Sequence, residues 1–151
     1  MPSRTNFISI AFKIDGSQTG GFKTVDGMAK ISPAGIVVEF EAKIFGIMKT
    51  GVKEVRISLA EIEEVRVNRK FFKHTFEIWL NNFKTLSDIP NKNGRVILQI
   101  SKEDRPRAEQ AARVLQTARS ETDALEILQT PVSRLFGDDD ETKETENELV
   151  I

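Results

Sequence analysis

Apolar and polar residues alternate along most of the first hundred residues, and this period of two constrains the fold more than any other feature. The clearest case is 36–44, where every second residue is apolar and the residues between them are mostly charged. The segments 6–14, 74–80 and 96–100 alternate in the same way, and turn residues separate them. A strand with one buried face has this pattern, so we predict seven or eight half-buried β-strands.

The period changes at about Asp104, where apolar residues begin to recur every three or four positions. This spacing predicts one long amphipathic helix over about 104–128. Asp104 is the expected N-cap, with Ser101 capping one turn earlier as the alternative, and Pro131 follows the expected end. A break near Ser120 is a second alternative. The fold class is therefore mainly β, an antiparallel barrel or sandwich capped by a long C-terminal helix.

Turn signals predict the connections between these elements. The segments 32–35 (Ser-Pro-Ala-Gly) and 91–94 (Asn-Lys-Asn-Gly) have the composition of tight turns. The alternation slips at 59–62, which predicts a corner, and 68–73 predicts a basic turn. A short strand is predicted at 86–90, because Pro90 would end it.

Two stretches of the chain resemble the pleckstrin-homology (PH) superfold in its bacterial and GRAM-like versions. The first is Gly27-Met28-Ala29-Lys30-Ile31-Ser32, which runs through the turn into Ile36-Val37-Val38-Glu39-Phe40. The second is Ile57-Ser58-Leu59-Ala60-Glu61-Ile62-Glu63-Glu64-Val65, which is similar to the family pattern I-P-L-x-x-I-x-x-V. A late strand at 96–100 leads into a helix, as in the family. The resemblance covers about 23–120 and implies a seven-stranded antiparallel barrel with a C-terminal helix.

The chain departs from the family pattern at both ends. The strand at 6–14 is one more than the seven-stranded fold needs, and the helix runs beyond the usual one by a turn or more. We therefore expect one PH-like domain over 1–130 with an additional N-terminal strand. The remaining residues, 131–151, are expected to form an acidic, disordered tail.

The family resemblance also implies binding of inositol phosphates by cations around the first hairpin loop. That loop is expected at 32–35, where only Lys23 and Lys30 lie near it in sequence. A stereospecific headgroup pocket is therefore not expected in this chain.

The net charge of −1 hides a division between the body of the chain and its end. Residues 138–151 hold seven of the 23 acids and one of the 22 bases, a net of −6, which leaves +5 on 1–137. The tail is expected to solubilise the protein or, as the alternative, to fold over the basic body and weaken its anionic contacts. Because cysteine and long apolar runs are absent from the sequence, we expect a cytoplasmic protein that can associate peripherally with a membrane.

The residue types give no sign of catalytic chemistry. His74 is the one histidine of the sequence, and we expect it to be a strand residue beside a turn rather than a catalytic base. One histidine excludes a two-histidine metal site, and the acidic run at 138–141 lacks the alternation and glycine of a calcium loop. A glycine-rich phosphate loop is also absent from the sequence. We expect no enzyme activity, no metal and no cofactor.

Two stretches join cations to apolar residues at predicted hairpins, one from Arg66 to Lys73 and the other at 44–53. Cations beside an apolar wedge suit an anionic membrane, where the charges meet headgroups and the wedge enters the acyl boundary. In the alternative interpretation, the apolar residues fold back over the end of the barrel. The candidate residues for contact with an anionic surface or a partner are Lys49, Lys53, Arg66, Arg69, Lys70, Phe71, Phe72 and Lys73.

The leading hypothesis for function is a non-catalytic PH-like adaptor that binds a protein or peptide in the groove between the helix and an exposed strand edge. The alternative is peripheral attachment to an anionic membrane or lipid through the two basic hairpins. The additional strand at 6–14 also suggests a homodimer formed by edge pairing. No nucleic-acid partner is expected, because a body charge of +5 and one Phe-Phe pair are too little for such a site.

Overall fold

The computed structural model describes residues 6–15, 23–44 and 47–129 of the chain. Their strands are β1 (Ile8–Ile14), β2 (Lys23–Ser32), β3 (Gly35–Ile44), β4 (Met48–Ser58), β5 (Ile62–Lys70), β6 (Lys73–Leu80) and β7 (Arg95–Ile100). Their helices are α1 (Phe83–Leu86) and α2 (Arg105–Gln129). Short 3-10 turns, Leu59–Glu61 and Lys102–Asp104, join β4 to β5 and β7 to α2.

The seven strands form one antiparallel sheet in the order β4-β3-β2-β1-β7-β6-β5. The predicted alternation is clear in β7, where Val96, Leu98 and Ile100 are buried and the residues between them are partly exposed. The same period gives every strand one face toward a shared apolar core. The predicted fold class, mainly β with a C-terminal helix, is confirmed.

The first strand lies inside the sheet. β1 pairs with β2 along its whole length and meets β7 at Lys13 and Gln99. It is therefore one of the seven strands, and the prediction that 6–14 is an additional strand is wrong. Because the edges of the sheet are β4 and β5, the premise of the homodimer hypothesis, an edge at the N-terminal strand, is wrong as well.

The predicted corner between β4 and β5 is confirmed, and Glu61 holds it. The carboxylate of Glu61 accepts hydrogen bonds from the N–H and the hydroxyl of Ser58, both at 2.8 Å, and from the hydroxyl of Thr85. Partial burial alone raises the pKa of Glu61, but the bonds from Thr85 and Ser58 together outweigh burial and hold the pKa below its ordinary value.

The segment after β6 contains a helical turn where the sequence predicts a strand. The side chain of Asn82 accepts hydrogen bonds from the N–H groups of Lys84 and Thr85 and so caps α1. Leu86 and Ile89 are buried in the core. The prediction of a strand at 86–90 is wrong, because local capping satisfies this backbone without a neighbouring strand.

The long helix begins and ends close to the predicted residues. The Ser101 hydroxyl accepts from the N–H of Asp104, so the alternative cap one turn earlier is the observed one, and α2 runs without a break through Ser120. Four small or apolar residues at helical spacing join the sheet core, namely Ala108, Ala111, Ala112 and Leu115.

The chain divides into two compact units, Met1–Ala118 and Arg119–Ile151. The first holds the sheet, its core and the first part of α2. The described part of the second is the remainder of α2, in which Leu125 and Leu128 are exposed. The predicted tail at 131–151 lies outside the described residues.

Candidate functional site

The β5–β6 hairpin has an unusual tip. β5 ends at Lys70, β6 begins at Lys73, and these two lysines face each other across the strands. Phe71 is the first of the two turn residues and has a φ of 58°. Two-residue hairpins usually place glycine, asparagine or aspartate in this left-handed conformation, and a bulky side chain there is strained. Both the turn residue and the like charges are locally unfavourable choices.

The two aromatic side chains of this tip point into solvent. Phe71 is 82% exposed and Phe72 is 91% exposed. The alternative interpretation, in which they fold back over the barrel, is therefore wrong for this hairpin. Arg69 Nε donates to the Phe71 carbonyl at 3.4 Å, which holds a third cation beside the turn. The tip, Arg69–Lys73, is a two-residue aromatic wedge among three cations.

A concave surface, which we call the trough, runs from this tip along the outer face of β6. Its floor carries Thr75 and Glu77, which alternate with the core residues of β6. The trough encloses about 740 Å³. Its lining outside the tip is Asn68, Thr75, Glu77, Lys92, Arg95 and Ile97. The trough is thus cationic at its rim and carries one carboxylate on its floor.

Glu77 is only 7% exposed although it lies on the outer face of the sheet. Its Oε2 accepts a hydrogen bond from the Thr75 hydroxyl at 2.7 Å. Its Oε1 lies 3.4 Å from Nη1 of Arg95, an ion pair without hydrogen-bond geometry. Neighbouring side chains therefore fix the position of this carboxylate and enclose it.

Trp79 continues the outer face and contacts two guanidinium groups. The Arg66 and Arg95 guanidinium carbons are each 5.6 Å from the centroid of the Trp79 ring. Arg66 also forms an ion pair with Glu64. The cation–π contact holds the Arg66 side chain over Trp79, next to the trough.

The structure separates Lys49 and Lys53 from the other predicted site residues. Both lie on β4, and β3, β2, β1 and β7 separate that strand from β6 in the sheet. Lys53 pairs with Asp88 at 3.8 Å, and Lys49 faces Lys43 across the β3–β4 hairpin. The eight predicted residues therefore form a six-residue group on β5 and β6 and a two-residue group on β4.

The β3–β4 hairpin has the same kind of chemistry as the β5–β6 tip. Ile47 is 85% exposed and Met48 is also exposed, so the fold-back alternative is wrong here too, whereas Phe45 lies outside the described residues. The end of β1 lies near one hairpin and the start of β2 near the other: Asp15 lies 3.9 Å from Lys73, and Lys23 pairs with Ile44.

The order of strands changes the identity of the first hairpin connection. With β1 as the first strand, that connection is 15–22 and not 32–35, so the predicted position of the loop is wrong. Its residues 16–22 lie outside the described part of the chain. They contain no lysine or arginine, so the absence of a stereospecific inositol-phosphate pocket at this loop remains a prediction.

His74 is a buried strand residue, as the sequence suggests. Its Nδ1 lies 3.2 Å from Nη1 of Arg105, which pairs in turn with Glu109. Because a guanidinium only donates, this nitrogen acts as the acceptor in the bond. Among residues 6–15, 23–44 and 47–129, no three histidine or acidic side chains come close enough to hold a metal ion.

Sequence reasoning missed four residues that lie in or beside the trough, Glu77, Trp79, Lys92 and Arg95. The signal available was the alternation of β6, which places Thr75, Glu77 and Trp79 on one face. The pairing of β6 with β7, which brings Arg95 beside Trp79, is a long-range contact without a local signature.

No family model, curated protein or solved structure matches this chain. Within the described ranges, none of the helices has the length and apolar character that crossing a bilayer requires.

Proposed function

We propose that this protein is a non-catalytic, PH-like binding module that attaches to anionic membranes through the tip of its β5–β6 hairpin. The observation that carries the proposal is the exposure of Phe71 and Phe72 on a strained turn among Arg69, Lys70 and Lys73. A seven-stranded antiparallel sheet followed by a helix supports the PH-like part of the proposal.

The composition of this tip is unfavourable for folding. A phenylalanine in the left-handed region is strained, and paired lysines repel each other across the strands. The exposed rings gain no burial in return. Contact with a surface that is apolar inside and anionic outside offsets the last two of these costs, since the rings enter the acyl boundary and the lysines meet headgroups.

The energies are sufficient for reversible attachment. Burial of a phenylalanine side chain contributes about 1.5–3 kcal/mol, and each cation near an anionic surface contributes about 1 kcal/mol. Two rings and three cations therefore provide an affinity that depends on salt. Ile47 and Met48 of the β3–β4 hairpin offer a second, weaker contact with the same surface.

Co-sedimentation with phosphatidylglycerol-containing vesicles tests the proposal. We expect the Phe71→Ser, Phe72→Ser double variant to lose affinity about 100-fold. Phe83→Ser is the matched control, because Phe83 is 89% exposed but follows the opposite end of β6. Equal retention of the double variant and the wild type, or no retention of the wild type at low salt, would overturn the membrane proposal.

A peptide partner is the second candidate, because the edge position of β5 in the sheet favours strand addition. Gln116 Nε2 on α2 donates to the Val65 carbonyl of the edge strand β5 at 3.2 Å. An added strand would displace this amide and take over the Val65 carbonyl. Peptides selected from a random display library should lose binding to Val67→Pro, which blocks the edge, and keep it in Val67→Ala. Unchanged binding to Val67→Pro would exclude strand addition at β5.

A further inference from the structure

The carboxylate on the floor of the trough has hydrogen-bonding capacity that the described side chains do not use. Glu77 Oε1 is enclosed, yet it accepts no hydrogen bond from the described part of the chain. Arg95 compensates its charge at 3.4 Å without hydrogen-bond geometry. Buried carboxylate oxygens normally accept at least one hydrogen bond, so this oxygen has acceptor capacity for a donor from outside the chain.

The charges around Glu77 restrict the nature of that donor. Lys73, Lys92 and Arg95 line the same trough, so a purely cationic ligand meets repulsion at the rim. A purely anionic ligand meets Glu77 on the floor. A small ligand with a phosphate and an ammonium group on neighbouring carbon atoms matches both the cationic rim and the carboxylate on the floor. The volume of about 740 Å³ is ample for such a ligand.

We propose that the trough binds a phosphate ester that bears a primary ammonium group, as in the headgroup of phosphatidylethanolamine. The Arg95 side chain turns from Glu77 Oε1 to the phosphate, beside Lys73 and Lys92, and so exposes this oxygen to the ammonium. This specificity rests on the proposed membrane attachment, because the tip that enters the bilayer is also one wall of the trough. The bilayer supplies the ligand once the tip has docked.

Soluble headgroup analogues test the site without a membrane. Trp79 is the one tryptophan of the chain and lies 5.6 Å from the Arg95 guanidinium, so its fluorescence reports on the trough. We expect O-phosphoethanolamine to bind at least about tenfold more tightly than glycerol 3-phosphate, which lacks the ammonium, or ethanolamine, which lacks the phosphate. Equal affinity for the first two probes, or no binding of O-phosphoethanolamine, would overturn the proposal.

Glu77→Gln identifies the group that recognises the ammonium. We expect this variant to bind O-phosphoethanolamine and glycerol 3-phosphate equally, whereas Thr75→Val, which removes a hydrogen bond to Glu77, reduces the preference only in part. Thr75→Val keeps the carboxylate and therefore serves if Glu77→Gln does not fold. An undiminished preference in either folded variant would contradict the assignment.

Vesicles of matched charge separate this proposal from the membrane proposal. Phosphatidylcholine differs from phosphatidylethanolamine by methyl groups that remove the N–H donors, so wild type should prefer vesicles with phosphatidylethanolamine over those with phosphatidylcholine at equal phosphatidylglycerol content. Glu77→Gln should bind both alike. The Phe71→Ser, Phe72→Ser variant tests the membrane proposal and should lose vesicle binding, whereas the soluble probes test the trough in the wild type and need no bilayer. Vesicle binding by wild type without a lipid preference would overturn the trough proposal alone.

Discussion

The β2–β3 turn and the β5–β6 turn both reverse the chain over two residues, but the first suits its geometry and the second does not. In the β2–β3 turn, Ser32 Oγ accepts from the N–H of Ala34, and the Ala34 carbonyl accepts from Leu59. Gly35 has a φ of 139°, and a Cβ there would lie 2.1 Å from the Ile57 carbonyl oxygen. The fold alone accounts for the residues of this turn.

In the β5–β6 turn, Phe71 occupies a left-handed position and its ring contributes nothing to the core. This contrast distinguishes structural turns from functional ones in this chain. A turn whose residues agree with backbone conformation and packing needs no partner, whereas an unfavourable turn with exposed rings indicates a contact outside the molecule.

The largest effect on stability is expected at Gly35. Gly35→Ala should destabilise the fold by about 3 kcal/mol or more, because the new Cβ meets backbone and the φ disfavours it. Urea unfolding measures the change. Ala34→Ser, on the same turn, should stay within about 0.5 kcal/mol of wild type. An unchanged free energy of unfolding in Gly35→Ala would show that the β2–β3 turn does not require glycine at this position.

Phe71→Gly should move stability and binding in opposite directions. Glycine accepts the left-handed conformation, so we expect a gain of about 1 kcal/mol in the free energy of unfolding. Loss of the ring should lower vesicle affinity about tenfold. Phe72→Gly is the control, since Phe72 does not share the positive φ and should lose affinity without gaining stability. A destabilised Phe71→Gly would mean that the turn is not strained.

Glu61→Gln tests the corner between β4 and β5, which adjoins the β2–β3 turn. The pKa of Glu61 is lowered in the fold, so its carboxylate stabilises the protein above the ordinary value of 4.5 and loses this effect as the pH falls through the folded pKa. We expect a loss of about 1 kcal/mol at neutral pH that shrinks in acid. Vesicle binding at neutral pH should not change. A difference that grows in acid would contradict the assigned direction.

The smallest effect is expected at Arg66. Arg66→Met removes one of the two guanidinium contacts of Trp79 and should cost about 0.5 kcal/mol while shifting the Trp79 emission. Arg56→Met, which removes an exposed arginine paired with Glu54, should change neither. A large loss of vesicle affinity in Arg66→Met would place this residue in the membrane contact rather than beside it.

Local patterns predicted most of the secondary structure. Alternation placed the strands, the change of period placed α2 within a residue or two, and the slip at 59–62 marked the corner. The failure at 86–90 is also local, because the cap from Asn82 competes with extended backbone and periodicity does not record it.

Sheet order was beyond the reach of the sequence. The position of β1 between β2 and β7 depends on pairing between residues such as Lys13 and Gln99, which are distant along the chain. The same holds for the candidate site: the tip was predictable because Arg69–Lys73 is continuous, whereas Lys92 and Arg95 join it only through the β6–β7 pairing.

Membrane attachment through the β5–β6 tip is tested most directly by measuring which residues approach the bilayer. Paramagnetic broadening by spin-labelled lipid in nanodiscs containing phosphatidylglycerol can be read from the amide signals of the wild-type protein. We predict the strongest broadening at Phe71 and Phe72, a weaker effect at Ile47 and Met48, and none at Phe83. Broadening centred on Phe83, or none at Phe71 and Phe72 under conditions in which the protein is bound, would contradict the account.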